Sequence, residues 1–205
     1  MKKVLIATTN VGKINIYAQA LNELGIEWVS LRDLKIDLDV EETGSSEVEN
    51  ALIKARAYNK ETGLPVIAND SGLIIDKLAP EDQPGVFVRR NDGKELTDDE
   101  LLNAYIEKIK SVGGTSKGHF NVGLAIINEN GKEFVKEFKP KRYFITTPSA
   151  VMKKGVPLDS ISYDKKTKMY MSEMTIVQRN AYEGKELKKQ QNFIKQIFKK
   201  HRKQK

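Results

Sequence analysis

Four short stretches of this chain concentrate the residue types that handle phosphate and hard metal ions. The first is Thr8-Thr9-Asn10-Val11-Gly12-Lys13. It lies between an apolar run and a helical one, and a strand opening into a helix offers free backbone N–H groups and a partial positive charge suited to a phosphate. Lys13 adds a point charge. This is not a Walker A loop, because GxxxxGK[ST] is absent. Asn, Gly and Lys in such a turn can also serve structure alone, so the stretch does not define a site by itself.

The second stretch runs Glu41-Glu42-Thr43-Gly44-Ser45-Ser46-Glu47-Val48-Glu49-Asn50, with Lys54 one turn later. Acids around a first helical turn often do no more than cap it and complement its dipole. As a group they also supply hard oxygen ligands of the kind Mg²⁺ takes, with Lys54 near any anion they help to bind. The third stretch, Asn69-Asp70-Ser71-Gly72, is a polar break inside an apolar run. A carboxylate there is costly to desolvate unless it is paired, hydrogen-bonded or on a metal, and a turn is the plainer alternative. The fourth, Pro84-Gly85-Val86-Phe87-Val88-Arg89-Arg90, ends in two guanidinium groups, which fit phosphate oxyanions.

The elements that must carry these stretches follow from periodicity. KVLIATTN reads as a buried parallel strand, INIYAQALNEL as a helix stopped by Gly25, and IEWVSL as a second strand. EVENALIKARAYNKETG is a helix whose apolar face carries Val48, Ala51, Leu52, Ala55 and Tyr58. LPVIANDSGLIID reads as a third strand broken in the middle. A Pro/Gly loop, the acid-capped helix TDDELLNAYIEKIKSV and the hairpin HFNVGLAIINENGKEFVKEF follow. Residues 140–183 are irregular by periodicity, and a last helix closes the chain. The pattern predicts one α/β unit over residues 1–205.

Composition excludes several classes. There is no cysteine, so disulfides, thiolate metal sites and cysteine nucleophiles are ruled out. The only histidines are His119 and His201, which argues against a histidine-based metal hydrolase. No run approaches the roughly 20 apolar residues of a membrane span, and VLIA is too short for a signal peptide, so the expectation is a cytoplasmic protein. The net charge of +7 resides in Lys185 to Lys205, and the remainder is close to neutral. That tail reads first as a solvated helix with a basic end and second as a contact for nucleic acid.

In this order the four stretches resemble the inosine triphosphate pyrophosphatase family, whose members hydrolyse deaminated purine nucleoside triphosphates. Thr8, Asn10 and Lys13 match its [ST]-x-N-x-x-K opening. Glu42, Gly44, Glu49, Asn50, Ala51, Lys54 and Ala55 match E-x-G…E-N-A-x-x-K-A. Asp70-Ser71-Gly72-Leu73 matches its D-S-G-L centre, and Pro84, Gly85, Val86, Phe87 and Arg90 match P-G-[IV]-[YF]…R. The resemblance is dense over residues 1 to 127. It implies an elongated mixed central sheet with two lobes, a nucleotide cleft between them, and a homodimer.

The resemblance further implies that Lys13, Lys54 and Arg90 hold the triphosphate, with Thr8, Asn10, Ser71 and Gly72 beside them. Glu42, Asn69 and Asp70 would organise Mg²⁺, and Asp70 would be the general base. Two departures stand out. Asn69 occupies a place where the family usually has an acid. The family's glycine-rich base-reading segment and its Ser-His-Arg triplet are missing; Gly155 to Lys165 and Ala181-Tyr182-Glu183 stand there instead. Tyr163, Gln178, Arg179 and Tyr182 could still stack on or bond to a base, so a changed base preference is expected. The competing reading is a nucleotide- or nucleic-acid-binding protein without catalysis. Action on dTTP or UTP in a related fold is disfavoured, because its Ser-Pro-Arg-Arg opening is absent.

Overall fold

The computed structural model describes residues 3–91 and 94–200. Its elements open with β1 (Val4–Ala7), α1 (Val11–Asn22), β2 (Trp28–Ser30), α2 (Glu47–Thr62) and β3 (Val66–Ile75). A small hairpin of β4 (Arg90–Asn91) and β5 (Lys94–Glu95) leads to α3 (Asp98–Ser111), then to β6 (Thr115–Ile127) and β7 (Glu133–Phe138). The chain ends with β8 (Lys141–Ile145), β9 (Tyr163–Asp164), β10 (Met169–Tyr170) and α4 (Ile176–Lys200).

Local chemistry sets the helix starts. Asn10 caps α1 by accepting from Lys13 N at 3.1 Å, and Ser46 caps α2 by accepting from Glu49 N at 3.3 Å. Thr97 and Glu100 form a reciprocal capping box on α3. Those backbone and hydroxyl donors, with Lys94, hold the Glu100 carboxyl down at about 2.

The chain forms two compact units. The first comprises the described parts of 1–71, 122–138 and 185–205, and the second those of 72–121 and 139–184. The sheet is mixed, in the order β2-β1-β3-β6-β7, with β8 also paired to β6. β1 runs parallel to β2 and β3, while β6 pairs antiparallel with β7 through residues 122–127 and with β8 through residues 115–119.

The first unit packs α2 on its strands through Leu5, Ala51, Ala55, Val66, Ala68 and Ala125, all fully buried. Small side chains let the helix lie close to the sheet, and Gly123 takes this furthest. A methyl group at 123 would overlap the Glu47 carbonyl in the first turn of α2. The core of the second unit gathers Leu73, Ile75, Leu101, Tyr105, Ile109 and Phe144 around α3.

Three expectations change. The Asn-Asp-Ser-Gly stretch does not break its strand; β3 is continuous from Val66 to Ile75, because side-chain partners satisfy the buried Asn69 and Asp70. Residues 140–183 hold β8, the β9–β10 hairpin and a 3₁₀ turn at Pro157–Ser160, elements too short to show a period. The closing helix is not merely solvated. Within the first unit it buries Gln190, Ile194, Ile197 and Phe198, and Lys195 pairs with Glu23. The last five residues of the basic tail lie outside the described residues. No described helix is long and apolar enough to cross a membrane.

Candidate active site

The C-terminal end of β1, the N-terminal half of α2 and the middle of β3 bring six of the expected residues together in the first unit. β1 and β3 are neighbouring parallel strands, with Ala7 level with Ala68, so their continuations place Thr8 to Lys13 beside Asn69 to Ser71. Lys13 Nζ donates to Ser71 Oγ at 2.9 Å. With its amide oxygen turned inward, Asn69 accepts from the same ammonium at 2.5 Å. That orientation is assigned by the hydrogen-bond network.

Asp70 is buried, and both its oxygens are engaged. Oδ1 accepts from Lys54 Nζ at 3.0 Å, and Oδ2 accepts from Asn50 Nδ2 at 3.3 Å. Lys54 also donates to Glu42 Oε1 at 3.0 Å, so one ammonium bridges two carboxylates. The Glu42 side chain is the more open of the two, 32% exposed against 12% for Asp70.

Asn50 matches the family motif, and its contacts give it a positioning role. It is 1% exposed, and its oxygen accepts from Gly44 N at 2.7 Å while its amide reaches Asp70. It therefore ties the loop carrying Glu42 to the strand carrying Asp70. A side chain at Gly44 would place its Cβ 2.6 Å from Asn50 Oδ1, which explains the glycine. Glu49 folds back to accept from Ser45 N and Ser45 Oγ, both at 2.7 Å, and so closes the same loop. Thr8 and Asn10 hold the other loop in shape: Thr8 Oγ1 accepts from Asn10 N, and Asn10 caps α1.

The electrostatics are those of an anion site with one weakly compensated cation. Burial, and then the charge of Lys54, push the Lys13 ammonium down to about 8, with Asp70 and Glu42 opposing the shift. Asn69 brings an oxygen to Lys13 but no charge.

The fit to a divalent cation can be judged from the donors. Among the described residues no group of three acidic or histidine side chains could hold a metal. Glu42 and Asp70 nevertheless both face one cationic point, and Mg²⁺ commonly takes one or two carboxylates with substrate phosphates and water completing its shell. The donor set suits a metal that arrives with a phosphate chain. For Asn69 to join it, its oxygen would have to leave Lys13.

Arg90, Gly72, Tyr163 and Arg179 belong to the second unit. There Arg90 lines a cavity of about 860 Å³ with Phe87, Val88, Leu96 and Tyr105. Tyr163 packs edge-on against Tyr170, their centroids 5.2 Å apart. Arg179 is held by Asp159 at 2.5 Å and by Glu183 at 3.2 Å, and Glu183 also pairs with the buried Arg142. Gln178 accepts from Thr175 N and Oγ1 and so caps α4. Sequence reading missed this Arg142–Glu183–Arg179–Asp159 chain: Arg179 and Glu183 are one helical turn apart, but Arg142 and Asp159 join them from 41 and 20 residues away.

The sequence pattern of the Ham1 family matches residues 4–187. A dITP/XTP pyrophosphatase of Shigella flexneri is 43% identical over 112 residues, which cover 55% of this chain and 55% of that protein. The chain thus spans about half the length of that relative. A dITP/XTP pyrophosphatase of Halalkalibacterium halodurans is 32% identical over 181 residues, 88% of this chain and 91% of that protein. The solved structure of a HAM1 protein from Coxiella burnetii aligns with a TM-score of 0.75 and 30% identity over 96% of this chain and 100% of its own.

Proposed function

The chain belongs to the Ham1 family, and on that premise we propose that it hydrolyses a nucleoside triphosphate to the monophosphate and pyrophosphate. The dITP and XTP named for its relatives make deaminated purine nucleotides the substrate class. One observation carries the reading: Lys13 and Lys54 converge with Glu42, Asp70, Asn50 and Ser71 in a single cluster.

In this reading Lys13, Lys54 and the N-terminus of α1 bind phosphate oxygens. Glu42 and Asp70 would hold Mg²⁺, which would neutralise charge on the phosphate chain. Asp70 takes a proton from water as that water's oxygen bonds to the α-phosphorus. The bond from the α-phosphorus to the α–β bridging oxygen breaks, and that oxygen leaves with pyrophosphate. Asn50 keeps Asp70 aimed, so most of the acceleration comes from positioning and fixed charge. A homodimer working in the cytoplasm completes the proposal.

Pyrophosphate release measured across ITP, XTP, their deoxy forms and the standard triphosphates tests it. The expected result is Mg²⁺-dependent release, with Asp70→Asn reducing turnover at least 100-fold while circular dichroism stays unchanged. Strong preference for ITP and XTP would dismiss the idea of an altered base preference. The neutral Asn69 favours a second reading, nucleotide binding without catalysis, and binding with no pyrophosphate from any triphosphate would establish it.

A further inference from the structure

We infer that the solvent-facing side of the β6–β8 pair, within the second unit, is a docking surface for single-stranded nucleic acid. In β6, Ser116 and Gly118 are buried, so Thr115, Lys117 and His119 line the opposite face. In β8, Arg142 and Phe144 are buried, so Lys141, Tyr143 and Ile145 line that same face. The antiparallel register sets Lys117 opposite Tyr143 and His119 opposite Lys141. Lys165, from the β9–β10 hairpin, lies 3.7 Å from the centre of the Tyr143 ring.

The surface is strongly positive and poorly compensated. Lys77, Lys117, Lys141 and Lys165 are exposed, and none has a carboxylate within ion-pair distance among the described residues. Asp164 is already occupied by the hairpin turn, accepting from Lys166 N, Thr167 N and Thr167 Oγ1. Asp76, an exposed acid, adjoins Lys77 in sequence, and its N–H donates to the Lys117 carbonyl at 2.9 Å. Hydrogen bonds from Thr115 and Lys165, and the charges of Lys165 and Lys77, hold the Tyr143 hydroxyl below its ordinary range.

The shape selects the partner. Alternate residues along a strand stand about 6.8 Å apart, so the face presents a spaced row of cations over an open surface, which suits a charged polymer. The His119 imidazole and the Tyr143 ring, one face of which carries Lys165, supply the flat groups on which unpaired bases stack. Neither β6 nor β8 carries any of the exposed large apolar side chains, which is not the composition of an amphipathic membrane surface.

Fluorescence anisotropy of a labelled 20-nucleotide oligouridylate, titrated with the full chain at several salt concentrations, tests the inference. Four neutralised phosphates predict a log–log salt slope of about 3 in magnitude. K117E/K141E should weaken binding at least tenfold and flatten the slope. Tyr143→Leu should weaken it about tenfold with the slope kept. Both variants should retain their melting temperature and pyrophosphate release, which separates this inference from the proposed activity. It is overturned by no detectable binding, by unaltered binding in both variants, by tighter binding to phosphatidylserine vesicles, or by inorganic polyphosphate competing equally while Tyr143→Leu has no effect. A chain ending at Lys200 that loses binding while K117E/K141E retains it also overturns the inference, and assigns binding to the tail.

Discussion

Lys54 places its ammonium 3.0 Å from Asp70 Oδ1, so the proposed base and a proposed phosphate ligand form one ion pair on adjoining elements, α2 and β3. The same ammonium reaches Glu42 at 3.0 Å. Removing it leaves two carboxylates facing each other with no cation between them. Lys54→Met is therefore expected to cut turnover roughly 100-fold or more and to cost about 1–3 kcal/mol of stability through the unsatisfied carboxylate. Adding Asp70→Asn should restore stability without restoring turnover; denaturant unfolding beside pyrophosphate assays reads both.

Asn69 gives Lys13 a neutral partner. Asn69→Asp would put a carboxylate where an amide oxygen now meets Lys13. The Lys13 pKa should rise, and half-maximal activity should need several-fold less Mg²⁺. An unchanged Mg²⁺ titration would show that position 69 does not govern metal affinity.

Lys13 also makes the site pH-sensitive. Its folded value of about 8 lies below its ordinary 10.5, so between those limits the folded protein binds fewer protons than the unfolded chain. This group alone then makes stability rise with pH across that window. Substrate capture should move the other way. kcat/KM is expected to fall above about pH 8 as Lys13 loses its charge, and Lys13→Arg should shift that fall upward.

Close approach of α2 to the sheet depends on Gly123. Gly123→Ala should cost about 1–3 kcal/mol by forcing the first turn of α2 away from β6. Because that turn leads to Asn50 and Lys54, turnover should fall as well. A change in melting temperature with unchanged kcat would separate helix placement from the site.

Much of this could be read from the sequence, because it depends on local rules. The runs 4–7, 11–22, 47–62 and 98–111 carry their periodicity and caps within a few residues, so their elements form as expected. Asp70 stands out because a carboxylate inside an apolar run is costly without a partner, Lys13 as a point charge at a helix start, and Glu42 and Lys54 as a hard oxygen ligand and a nearby cation. Which partner each one took was not local. The pairing of β1 with β3 brings Lys13 to Ser71 across 58 positions, and the packing of α2 carries Lys54 and Asn50 to Asp70. Those contacts also keep β3 continuous where its sequence reads as a break, since side chains distant in the chain satisfy its buried polar groups. Of the Arg142–Glu183–Arg179–Asp159 chain only the Arg179–Glu183 pair has a helical spacing; its ties to Arg142 and Asp159 link distant residues, have no period, and are made only by the folded chain.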